Sequence, residues 1–197
     1  MVGYRRDDVT GTRGGFMAVA ASHAVAVRPA ARMFSVVDPS CDYLESIGAA
    51  DQGAMRGGVG WSRSALSVAT FLDIVPIVVT VDLWTESPGA TGSPEEDLLN
   101  ESTLEVPGGT LAFPEAIEEP HRLGIDLPGG GGTYAVRLVG RNLHRIKRLF
   151  EETDLRFSQP ESRREAAVNS LRGVESYQIQ IWQVSGEPRW GAEDEED

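Results

Sequence analysis

Carboxylates are the groups in this chain with the most obvious chemical reach. Asp82 with Glu86, Glu95-Glu96-Asp97 and Glu118-Glu119 each bring acids close together. Acid–base catalysis needs one carboxyl in an apolar pocket, where burial favours its protonated form. Only Asp82, late in the apolar run VPIVVTVDLW, has such surroundings, and a strand-end carboxylate that caps a loop fits the same position. The three histidines, His23, His121 and His144, fall in no HxH, HxxxH or HExxH spacing, so no metal site is predicted. Ser62 and Ser64 lie in GWSRS, which is not the GxSxG elbow of a serine nucleophile. Cys41 neighbours Asp42, whose charge opposes formation of a reactive thiolate. The sequence therefore predicts no catalytic set and no cofactor.

Arginines offer recognition instead. Arg141 to Arg148, followed by Arg163-Arg164, has the charge to meet phosphate, but no aromatics interleave. A solvated helix face, or one set against the protein's own acidic middle, is the expected use. Gly129 to Gly132 lead into Thr133-Tyr134 and a strand, without the Lys-Ser/Thr and helix of a phosphate loop, so they read as a hairpin turn. If residues 133–140 and 176–184 are neighbouring strands, Arg137, Gln178, Gln180 and Trp182 project from one side of a sheet. Arg and Trp are common interface anchors. With Asp82 and Glu86 they form the candidate partner-binding set.

The elements that would position these residues are mostly strands. Residues 24–29 and 32–39 flank Ala30-Ala31 as an early hairpin, and ALSVATF (65–71) and VPIVVTVDLW (75–84) follow. In the last of these, Val75, Ile77, Val79, Val81 and Leu83 share one face, while Val78, Thr80, Asp82 and Trp84 share the other. Residues 85–100 read as a Pro/Gly/Ser/acid loop, and short strands at 102–107, 110–114 and 122–128 each end on proline. Helical periodicity is confined to 141–172: Leu143, Ile146, Leu149 and Phe150 share a face, and RREAAVNSL follows Pro160. SYQIQIWQV closes the pattern. The expected fold is an all-β, jelly-roll-like β-sandwich of about eight or nine short strands, with a helical insertion at 141–172. A flexible leader (1–15) precedes the domain (16–188), Met17 being an alternative start, and an acidic tail (189–197) follows.

Charge limits the partners. The net charge is −12, distributed as +3 over residues 1–37, −13 over 38–126, +3 over 127–192 and −5 in the final five. Such a surface disfavours nucleic acid and anionic membrane and favours a basic protein docking on 38–126. The single cysteine excludes a disulfide framework. No apolar run reaches the roughly 18 residues of a membrane helix, and FMAVAASHAVAV is too polar for a secretory core, so a cytoplasmic location is expected.

The segment GIDLPGGGGTYAVRLVGRN (124–142), followed by ESYQIQIWQV (175–184), resembles a group of small actinobacterial proteins. They end in an lP-G-Y-vR…G-r…E-Y-iQ-WP signature, preceded by a strand like VPIVVTVDLW. The resemblance covers 34–184 loosely and 123–184 best; Gln183 stands where the signature has proline. More distantly, the late strand pattern resembles the competence protein J family of small acidic inhibitors of a DNA-entry nuclease. The actinobacterial group has no established activity, so that resemblance carries over no catalytic residue. With the −13 middle segment and the lack of a catalytic constellation, the resemblance to the nuclease inhibitors leads to the expectation of a non-enzymatic, immunity-like binding protein that engages a basic protein partner. Two alternatives are a small-ligand binder or hydrolase using Asp82 or Glu86 in a pocket, and an accessory subunit held by the Arg137/Trp182 face.

Overall fold

The computed structural model describes residues 19–73, 75–89, 96–114, 124–152 and 161–186. The strands are β1 (Val19–Val27), β2 (Met33–Val37), β3 (Val59–Trp61), β4 (Ala65–Ala69), β5 (Ile77–Trp84), β6 (Glu96–Val106), β7 (Thr110–Ala112), β8 (Gly124–Asp126), β9 (Gly132–Arg141) and β10 (Ser176–Gly186). The helices are α1 (Tyr43–Gly57), α2 (Leu143–Glu152) and α3 (Glu161–Leu171). The chain is mostly β, in two five-stranded sheets: sheet A in the order β1-β5-β10-β9-β6 and sheet B in the order β3-β4-β2-β7-β8. Among the described residues no helix is long and apolar enough to cross a membrane.

Alternation along the strands builds the core between the sheets. Val79, Val81, Ile179, Ile181, Val136 and Leu138 from sheet A meet Phe34, Val36, Leu66 and Val68 from sheet B in one cluster. Burying each such side chain stabilises the fold by about 1.5–3 kcal/mol. The expected faces of β5 and β10 appear as read. β9 and β10 pair antiparallel with Arg137 opposite Gln180, while β10 runs parallel to β5 on its other side.

Four expectations are corrected. First, helix is not confined to 141–172, because α1 covers the outer face of sheet B. Asp42 caps α1 by accepting from the Glu45 amide (3.0 Å), and Gly58 closes it in the left-handed region with φ 81°. Its glycines and alanines signal a close approach. A Cβ on Gly60 of β3 would lie 1.8 Å from the Ala50 carbonyl oxygen. The contact is completed by Asp51, which accepts from the Ser67 hydroxyl at 2.6 Å.

Second, residues 24–29 and 32–39 do not form a hairpin. A turn with positive φ at Ala31 and Arg32 sends β1 to sheet A and β2 to sheet B. Third, Gly129–Gly132 is likewise a crossover, from β8 in sheet B to β9 in sheet A. Gln183 lies against it: a Cβ on Gly129 would fall 2.3 Å from its Oε1. Fourth, residues 96–100, expected as loop, belong to β6, and the described residues hold ten strands where about eight or nine were expected. The helical insertion stands as expected. Ile146 and Leu171 bury against Leu72 and Val75, capping one end of the sheets. The leader at 1–15 and the tail at 189–197 lie outside the described residues.

A buried acid holds this cap in place. Glu175, 1% exposed, accepts from the amides of Phe71 (2.9 Å) and Leu72 (3.1 Å) and from the Tyr177 hydroxyl (2.7 Å). It thus ties the start of β10 to the β4–β5 connection. Burial raises its carboxyl above the usual glutamate range, against the lowering effect of those three bonds. Burial and the adjacent Glu175 charge push the Tyr177 phenol upward as well.

Two predictions follow from these contacts. Gly60→Ala should cost about 3 kcal/mol or more in chemical unfolding, because backbone, not a flexible side chain, meets the new methyl; unchanged stability would contradict the seating of α1. Glu175→Ala should cost about 2–4 kcal/mol by leaving buried donors unpaired. Because the folded carboxyl is raised, the stability Glu175 contributes is fully present below its unfolded value near 4.5 and declines as pH rises through the folded value. The wild-type minus variant difference, measured by denaturation across pH 4 to 8, should therefore shrink with rising pH; growth would reverse the assignment.

Candidate functional site

Sheet A carries one row of polar side chains on the face turned away from the core. Cross-strand registry sets Ser22 opposite Asp82, Asp82 opposite Gln180, Gln180 opposite Arg137 and Arg137 opposite Glu101. The row thereby crosses all five strands. The Ser22 hydroxyl donates to Asp82 Oδ1 at 2.6 Å, and the Gln178 amide donates to Asp82 Oδ2 from one step along β10. Arg137 donates through Nη1 to Gln180 Oε1 (3.3 Å) and through Nε to Glu101. Arg141 Nη2 reaches Gln178 Oε1 at 2.8 Å. The Trp182 ring lies 5.7 Å from the Arg137 guanidinium carbon, within cation–π range.

The structure thus brings five of the six candidate partner-binding residues together: Arg137, Gln178, Gln180, Trp182 and Asp82. It does not bring Glu86 to them by any described contact; Glu86 is exposed in the segment after β5. That segment returns over the row, where the Gly89 carbonyl accepts from Arg137 Nη1 at 2.6 Å. Asp82, Arg137 and Gln180 are only 6–7% exposed. Their hydrogen bonds offset the cost of burying charge and make the row a rigid internal layer. A base at Asp82 would have to give up two bonded donors, and neither of the two clefts described below is lined by Asp82 or Glu86.

The larger cleft, about 870 Å³, opens on the sheet B side. Three connections meet there: residues 38–42 after β2, the β3–β4 turn and the β6–β7 turn. Asp38, fully buried, fastens two of them by accepting from the Ser40 amide (2.8 Å) and the Gly108 amide (2.7 Å). Gly108 is required for that approach, since a Cβ there would come within 2.8 Å of Asp38 Oδ1. The Asp38 amide donates to the Ser64 carbonyl at 3.2 Å, bringing in the third connection. The first turn of α1 forms the wall, and the hydroxyls of Ser46 and Ser64 meet at 2.8 Å on it. Asp42 and Glu45 stand exposed at the mouth, while Arg63 is paired with Glu105 at 2.8 Å.

Sequence reading missed this cleft because its walls come from separate stretches, DPSCDYLES, WSRS and VPGG. The detectable signal was Asp42-x-x-Glu45, the spacing of a helix cap followed by an acid in the first turn. Cys41, half-buried, also lines it.

No protein-family model matches this chain, and no curated protein matches it. Two solved structures are similar to it at low sequence identity. The crystal structure of ComJ, inhibitor of the DNA degrading activity of NucA, from Bacillus subtilis is 13% identical, over 86% of this chain and 100% of that one, with a TM-score of 0.47. Crocagin biosynthetic gene J is 14% identical, over 84% of this chain and 97% of that one, with a TM-score of 0.46. Likeness at this level assigns neither a ligand nor a partner to this chain.

Proposed function

We propose that this protein is a non-enzymatic, inhibitor-like binding protein that receives basic side chains of a protein partner in the cleft beside α1. The observation that carries the reading is the cleft's composition. Its charged lining residues are Asp42 and Glu45, both exposed at its mouth, and Arg63, which is paired with Glu105; all of them fall within 38–126, the segment of net charge −13. Serine hydroxyls behind them offer acceptors to a guanidinium or ammonium group. A mouth of this sign steers a basic partner and speeds its association at low salt. The Asp38 hydrogen bonds to Ser40, Gly108 and Ser64 support the same reading by fastening the three connections together, so that the cleft meets its partner preformed.

The test is recovery of partner from native lysate on immobilised protein at low and high salt, with wild type and Glu45→Lys compared. One basic protein should be retained at low salt and released at high salt, and the variant should bind it about tenfold more weakly. Retention that ignores both salt and the substitution would overturn the proposal, as would recovery of no protein at either salt.

A further inference from the structure

A second cleft, about 520 Å³, opens where β9 passes into α2, and its lining is of the opposite sign. His144 and Arg145, in the first turn of α2, and Arg148, one turn on, line it from the helix, and Arg141, the last residue of β9, lines it from the strand end. The other face of α2 is committed to packing through Ile146, Leu149 and Phe150. Asp97 is the acid in this cleft, and its work is internal. It accepts from the Leu143 amide at 2.5 Å, capping the helix, and lies 3.7 Å from His144 Nε2.

Arg141 is tied to a neutral partner, Gln178. Arg145 and Arg148, both exposed, pair with no carboxylate among the described residues. The placement is also electrostatically unfavourable to the protein alone. α2 has no acid of its own in its first turn, so at its amino end the single carboxylate of Asp97 is set against the dipole, His144 and Arg145 together. An anion bound among these groups relieves both the mutual repulsion and the clash with the dipole. Guanidinium groups match phosphate oxygens in bidentate geometry.

We infer that this cleft is a binding site for a small phosphorylated anion carrying two or more phosphoryl groups, held by Arg141, Arg145 and Arg148. The cleft has ample room for a diphosphate, and its three arginines outnumber its one carboxylate, so the site is cationic and asks for more than one negative charge. The site is separate from the proposed partner cleft and does not depend on it.

The test is calorimetric titration of the full chain with inorganic pyrophosphate at low salt, beside the double variant Arg145→Gln/Arg148→Gln. Wild type should bind one equivalent, and the variant at least tenfold more weakly while melting, without ligand, no lower than wild type. Pyrophosphate should raise the melting temperature of wild type alone. Absence of saturable binding at millimolar pyrophosphate would overturn the inference, as would equal binding by the variant. Binding of a single-stranded oligonucleotide without binding of pyrophosphate would also overturn it, reassigning the cleft to a polynucleotide.

Discussion

Sheet A depends on the placement of its last strand. β10 enters between β5 and β9, parallel to the first and antiparallel to the second, and without it the sheet is two separate pairs. Its inward residues Tyr177, Ile179 and Ile181 complete the core, and its outward Gln178 and Gln180 complete the polar row. Glu175, at its entrance, locks it to the β4–β5 connection over a separation of more than a hundred residues. Contacts of such span close large loops before they are rewarded, which makes assembly cooperative and slow relative to helical domains. The helical insertion between β9 and β10 packs where that closure happens, on Leu72 and Val75.

The net charge takes on a different meaning once the acids are located. Several carboxylates of the −13 segment serve the fold. Asp38 joins loops, Asp51 seats α1, Asp82 anchors the polar row and Asp97 caps α2. The segment is therefore not a uniform acidic surface. What remains for an outside partner is concentrated at positions such as Asp42 and Glu45, beside a concavity. The basic C-terminal half divides in the same manner: Arg137 is consumed by the row, whereas Arg145 and Arg148 face a cleft.

The readable parts of the sequence were those governed by local periodicity. Alternation gave both faces of β5 and β10, and the spacing of Leu143, Ile146, Leu149 and Phe150 gave α2. The adjacency of β9 and β10, and with it the gathering of Arg137, Gln178, Gln180 and Trp182, was also legible. Decisions made by distant packing were not. Whether two consecutive strands pair or part to opposite sheets is set by the core each one faces, which is why β1 with β2 and β8 with β9 read falsely as hairpins. α1 was not legible because its glycines and alanines give little apolar periodicity; the reason for Gly53, contact with Gly60 across the helix–strand interface, lies outside the local sequence. The covering of the row by the Gly89 segment was likewise invisible, so residues that read as an exposed surface are a buried layer.

The most direct test of the central claim, docking of a basic partner in the cleft beside α1, is amide hydrogen exchange on this protein free and saturated with the partner it retains at low salt. The account predicts new protection confined to residues 40–46, 62–64 and 107–108, with β1 and the outer face of sheet A unchanged. Protection concentrated on sheet A, with the cleft exchanging as in the free protein, would contradict it.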